Sequence, residues 1–178
     1  IRDRIKLDEG WRIIPGKLVK PRRVTQHESL EAKVGGWHEI DEKFGKFGKA
    51  TYFTTLRDFK YDGNLSLLVN PLHAAWELFV VTKDGKVKPH LKVGKVGKTK
   101  GEEIPSFRTH YIKTLPENAE KLVIHLSNFH YRSSKFQYPL IGDSERVSKL
   151  RLFQIVYKLA IMASSFIFGV YCLLVYTS

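Results

Sequence analysis

From Trp11 to Ser127 the chain runs in short apolar stretches broken by turn residues. Many of these stretches alternate apolar and polar positions, the period of a strand with one buried face. The pattern predicts strands at Trp11–Ile14, Trp37–Ile40, Ala50–Phe59, Leu65–Val69, Trp76–Val81, Lys86–Val93, Thr109–Thr114 and Lys121–Ser127. Ala50-Thr51-Tyr52-Phe53-Thr54-Thr55-Leu56 is rich in β-branched and aromatic residues, which suit a pleated, half-buried surface. Asp62-Gly63-Asn64 separates the third strand from the fourth, and Lys83-Asp84-Gly85-Lys86 joins the fifth to the sixth. The second is an Asp-Gly hairpin signal. Short strands at this spacing predict a mainly β domain, a sandwich or barrel.

The period changes at Ser144. Glu145, Arg146, Lys149 and Arg151 interleave with Val147, Leu150 and Leu152, a helical pattern. It continues into 159–177, LAIMASSFIFGVYCLLVYT, an uncharged run of 19 residues. A helix needs roughly 20 apolar residues to cross a bilayer core. Only Gln154 and Lys158 interrupt the apolar stretch before it, and Lys158 is placed to snorkel to the headgroups. The alternative is a buried core helix, but such helices are shorter and carry a polar stripe. The expected organisation is therefore a β-sandwich over residues 1–142, a helical stalk over 143–158 and a transmembrane helix over 159–178. No Pro/Gly/Ser linker and no internal repeat separates them.

Charge changes the picture only in part. The net charge is +12, all of it carried before residue 159. An anchored domain of this sign has an anionic membrane surface as its natural partner. Basic residues are locally dense only at Lys20-Pro21-Arg22-Arg23 and in the Lys92–Lys100 loop. Without a recognition helix or zinc-finger spacing beside them, nucleic acid is not an expected partner. The single cysteine, Cys172, lies in the apolar run, so no disulfide within the chain forms. The sequence begins with Ile1 and ends at Ser178, just past the apolar run, which reads as a mature or cut product with more chain beyond.

Candidate chemistry is sparse. There is no Gly-x-Ser-x-Gly elbow, the seven histidines lack metal-ligand spacing, and no cofactor motif is present, so no enzyme, cofactor or metal site is expected. The Gly- and Lys-rich loop Leu91–Pro105 lacks the Gly-Lys-Ser/Thr ending of a phosphate-binding loop. Glu102 and Glu103, adjacent on that loop, read as solvating it or pairing with its lysines rather than as an acid–base pair. The most pointed segment is Leu126-Ser127-Asn128-Phe129-His130-Tyr131-Arg132, where a strand leaves the sheet. Its Asn, His, Tyr and Arg suit hydrogen bonding and stacking on a polar ligand such as a sugar. They equally suit a structural turn, with Asn128 capping it and His130 packing at the edge. Trp11 and Trp37 are expected in the core, and Trp76 either in the core or as a stacking platform. The candidate rim comprises Trp76, Arg108, His110, Asn128, His130 and Arg132.

The order of these pieces carries a resemblance. Gly-Lys-Ala-Thr-Tyr-Phe is followed by Leu-Ser-Leu-Leu-Val and by Ala-Ala-Trp-Glu-Leu-Phe-Val with its hairpin. Then come Gly-Lys-Val-Gly-Lys, Glu-Glu-Ile-Pro-Ser-Phe-Arg, Ser-Asn-Phe-His-Tyr-Arg, Pro-Leu-Ile-Gly and the apolar helix. Over about residues 10–178 this resembles the N-terminal sensor region of bacterial seven-transmembrane receptors with diverse intracellular signalling modules. The opening, with Trp11, Pro15, Trp37 and the Gly48–Tyr52 strand, is also similar to the sugar-binding accessory domain of beta-galactosidase-type hydrolases. The chain departs from the receptor pattern at Lys83-Asp84-Gly85, where Asn-Gly is usual, and at Ser133-Ser134-Lys135, where a glycine pair is usual.

The resemblance implies a galactose-binding-like jelly roll outside the inner membrane, in the periplasm, followed by the first of seven helices. Its implied role is ligand sensing, with a carbohydrate or other small polar ligand on the rim. Implied partners are the lipid bilayer, a downstream transmembrane bundle with its cytoplasmic effector, and a second copy in a homodimer. Arg146, Lys149, Arg151 and Lys158 precede the apolar helix and, by the positive-inside rule alone, favour the opposite orientation. Long domains translocate largely regardless of charge, so the outside assignment is retained. The rival readings are an anchored carbohydrate-binding or adhesion module, an anchored glycosidase with its catalytic domain upstream, and a structural envelope protein.

Overall fold

Strand β8 (Ala119–Asn128) is the spine of the larger sheet, and its alternation sets the architecture. Leu122, Ile124 and Leu126 pack in one apolar cluster, while Val123 belongs to a second. Both faces of this strand are therefore covered. The computed structural model describes residues 10–35, 45, 47–56, 64–70, 72–106, 109–130 and 136–177. Among these, β1 (Arg12–Pro15), β2 (Leu30–Glu31), β3 (Gly48–Thr55), β5 (Ala75–Thr82), β6 (Val87–Val93) and β8 form a six-stranded sheet, ordered β2-β1-β3-β8-β5-β6. A three-stranded sheet, ordered β7-β4-β9, comprises β4 (Leu65–Val69), β7 (His110–Ile112) and β9 (Leu140–Asp143). Every pairing is antiparallel. The chain is mainly β, two facing sheets followed by a C-terminal helix, as the hydropathy pattern predicts.

The main core lies between the sheets. Ile13, Tyr52, Trp76, Leu78 and Ile124 of the larger sheet meet Leu67, Val69, Ile112 and Ile141 of the smaller, all buried. Tyr52 stacks on Phe136 at 3.9 Å between ring centroids, and Trp11 meets Phe136 edge-on at 5.5 Å. Such aromatic pairs add to stability beyond the area they bury. Trp11 is thus a core residue, while Trp37 and the predicted strand Trp37–Ile40 lie outside the described residues.

The outer face of the larger sheet is covered by a strap, residues 17–26, ending in a 3-10 turn at Pro21–Gln26. Val19 and Val24 bury themselves against Ile14, Phe53, Val81 and Val123. Two polar side chains on the sheet pin the strap. The Thr51 hydroxyl donates to the Lys17 carbonyl at 2.8 Å and accepts from the Val19 amide at 2.9 Å. His125 Nε2 lies 2.7 Å from the Val19 carbonyl, so this nitrogen carries the proton. Burial pushes the His125 imidazole below its ordinary pKa, opposed by that carbonyl and by the Glu77 carboxylate.

At the β5–β6 turn, Gly85 takes a φ of +74°, and the Thr82 hydroxyl donates to the Asp84 carboxylate. That hydrogen bond, with the Lys86 ammonium 2.9 Å away, holds the Asp84 carboxyl far below the usual carboxylate range. The hairpin thus forms where Asp-Gly predicts it.

Helix α1 runs unbroken from Ser144 to Thr177. Asp143 Oδ1 accepts the amides of Glu145 at 2.7 Å and Arg146 at 3.3 Å, satisfying donors that a helix start leaves open. Val147 is buried at the base of α1, and the Arg151 guanidinium lies 5.0 Å from the centre of the Tyr111 ring of β7. Beyond this base the helix is exposed, and its apolar window has none of its residues buried in the fold. It is not a core helix. Among the described residues it is the one helix long and apolar enough to cross a membrane, which marks the chain as membrane-anchored.

Candidate functional site

The sandwich has two ends. Helix α1 leaves from the end marked by Leu65 and Asp143, which pair across β4 and β9. At the opposite end, Gly48 pairs with Asn128 and Ala75 with Ser127, and β7 brings His110 beside Val69. The described members of the predicted rim gather at this far end. Trp76 and His110 touch edge-on across the two sheets, with ring centroids 5.6 Å apart. Trp76 is fully buried, so of its two expected roles it fills the core and offers no exposed face for stacking. Asn128 is also buried, at the last position of β8. His130 is 42% exposed and is the rim residue open to a ligand. Arg108 and Arg132 lie outside the described residues.

The hairpin-like loop after β6 closes this end. Lys95 and Ile104 exchange backbone hydrogen bonds at 2.8 and 3.0 Å, and the Gly97 amide donates to Ser127 Oγ at 3.0 Å. Gly94 has a φ of +72°, and a Cβ there would lie 2.0 Å from the Ile104 carbonyl oxygen. A Cβ on Gly97 would come within 2.7 Å of the Glu103 amide. The two glycines in Lys-Val-Gly-Lys-Val-Gly are required for close backbone approach, not for cradling a phosphate.

The two adjacent glutamates part company. Glu102 stays at the surface, accepts the Lys98 amide at 2.9 Å and is held below the usual carboxylate range chiefly by that bond. Glu103 turns inward, with a fully buried side chain, contrary to its reading as a solvating loop residue. Its Oε2 accepts the Phe129 amide at 2.6 Å and lies 3.5 Å from His130 Nδ1. Its Oε1 is buried with no hydrogen-bond partner among the described residues. Ile104, next in sequence, is 61% exposed. Hydropathy predicts the reverse, so sequence reasoning missed Glu103, and the residue types Glu102-Glu103-Ile104 carry no signal of its burial.

The arrangement offers an exposed imidazole held beside a buried carboxylate, a hydrogen-bonding edge suited to a polar ligand. No group of three or more His, Cys, Asp or Glu side chains that could hold a metal occurs among the described residues. No protein-family model matches this chain, and no curated protein matches it.

Proposed function

We propose that this chain is the extracytoplasmic ligand-sensing input region of a bacterial membrane receptor, taking a carbohydrate or another small polar ligand. The observation that carries this reading is the direct seating of α1 on the smaller sheet. Val147 is buried at its base, the Tyr111 hydroxyl reaches the Ser144 carbonyl at 3.5 Å, and Asp143 caps the first turn. No slack segment separates the sandwich from the apolar stretch. A shift of the sheets is then a shift of the helix, which is what a sensor needs and a tethered display module does not. Coupling further requires a ligand that prefers one of two arrangements.

Two measurements test the reading. A Lys83→Cys substitution in a Cys172→Ser background places one thiol on an exposed turn. It is expected to react with a membrane-impermeant maleimide on cells whose inner membrane is intact; protection until that membrane is lysed would reverse the orientation. The full chain in nanodiscs, titrated with galactose, glucose and N-acetylglucosamine and their disaccharides, is expected to show saturable shifts of the His130 ring resonances. Spin labels at Lys113 and Lys158 should change separation on saturation. Binding with no change in separation would favour the anchored carbohydrate-binding module, and no binding at all the structural one.

A further inference from the structure

The two locally dense basic stretches of the sequence, some 70 residues apart, meet in space. The strap and the Gly-rich loop flank a broad-mouthed cavity of about 470 Å³ at the far end of the larger sheet. Lys17, Lys20, Arg23, His27, Lys49 and Lys98 line it. Among the described residues no carboxylate lines it and none pairs with these side chains. Three lysines outside the cavity are paired: Lys86 with Asp84, Lys92 with Glu77 and Lys149 with Glu145, each within 2.9 Å. Like charges gathered around one cavity repel, and an anion bound between them relieves that repulsion.

The walls are held by groups other than these charges. Thr51 and His125 fix the strap from beneath through Lys17 and Val19, and Gly97 fixes the loop through Ser127. Lys49 ties the two walls, its Nζ donating to the Lys98 carbonyl at 3.1 Å. The ammonium keeps further donors for a ligand. Among the described residues the cavity offers five Lys and Arg side chains and no carboxylate, and a charged donor bonds an oxyanion more strongly than a neutral one. The cavity lies at the end opposite the departure of α1, away from the bilayer the helix enters.

We propose that this cavity binds a soluble, multiply charged oxyanion, a phosphorylated or sulfated small molecule. The site is distinct from the His130–Glu103 edge, and it needs only the sandwich, so it stands whether or not the chain signals. A volume of this size falls in the range of small-molecule pockets and exceeds what a single inorganic anion fills.

The test uses the full chain in phosphatidylcholine nanodiscs at low salt, titrated with pyrophosphate, glucose 6-phosphate and glucose. Calorimetry gives affinity, and the Val19 and Gly97 amide resonances report the site. Pyrophosphate and glucose 6-phosphate are expected to bind saturably at these amides, and glucose not. Lys49→Gln is expected to weaken binding about two- to fivefold, the worth of one partly exposed charge contact, and Lys20→Gln with Arg23→Gln more. Lys83→Gln, on the opposite turn, should leave affinity unchanged. A Thr51→Val variant that folds but loosens the strap should lose affinity with all six basic groups intact. An equal loss on Lys83→Gln, or no saturable shift with either phosphate, would overturn the proposal. Repeating the titration with phosphatidylglycerol in the nanodisc separates the sources. Unchanged affinity supports a soluble ligand, whereas displacement of pyrophosphate by the lipid would overturn it in favour of a headgroup.

Discussion

One face of the six-stranded sheet meets a second sheet; the other meets ten residues of strap. Ile124 and Val123, neighbours on β8 pointing to opposite faces, are nevertheless both fully buried. The inner face achieves this with large side chains from both sheets, Trp76, Tyr52, Leu78 and Leu67 among them. The outer face uses two valines and two polar pins, Val19, Val24, Thr51 and His125. Burial fraction alone therefore does not measure how firmly a face is held. What differs is the number of independent segments that must move before water enters: a whole sheet on one side, one strand of chain on the other.

Truncating the inner face should cost most. Leu78→Ala is expected to destabilise the fold by about 2–5 kcal/mol in chemical denaturation, the usual cost of deleting a fully buried leucine. On the outer face, Val24→Ala should cost about 1.5 kcal/mol if the strap opens only with the whole domain. Hydrogen exchange decides this. Loss of protection at the Val19 amide without loss at β8 amides would make the strap a separate unit with its own opening equilibrium.

The smallest expected effect is a pH dependence carried by the strap pin. Burial lowers the pKa of His125 in the folded state, so the unfolded chain binds its proton first as pH falls. Stability should be full above the ordinary imidazole value of 6.5 and decline as pH drops through it toward the folded value. His90, also lowered by burial and opposed by the Thr114 carbonyl, contributes with the same sign. A His125→Gln chain should therefore show a shallower fall in denaturation midpoint between about pH 7.5 and 5.5, with the slope from His90 remaining. An unchanged slope would place the titration elsewhere and leave the pin with a purely geometric role.

Strands with one steady pattern were legible from the residues. Leu65–Val69 is a strand over those residues, and β5 extends the predicted Trp76–Val81 by one residue at each end. Two short strands were not foreseen. β2 has only two residues, and β9 sits in Pro-Leu-Ile-Gly, immediately before the helix, where four residues cannot establish a period. The strap escaped because its Lys and Arg residues read as charge rather than cover; its three aliphatic residues, Leu18, Val19 and Val24, show no strand or helix period, and only the two valines are buried. At the far end, clustering of His110, Asn128 and His130 followed from the strand ends. Burial of Trp76 was one of its two expected placements; burial of Glu103 was not expected, because it depends on partners distant in sequence, Phe129 and His130.

The seating of α1 also sets an azimuth. An α-helix returns to the same side after 18 residues, about five turns. Val147, buried at the base of the helix, and Ser165, within the apolar run, therefore lie along one line, as do Arg151 and Gly169. The compass bearing of every side chain inside the bilayer is thus written at the foot of the sandwich. One residue inserted or deleted between Arg151 and Lys158 would turn that bearing by about 100° while leaving every contact of the domain in place.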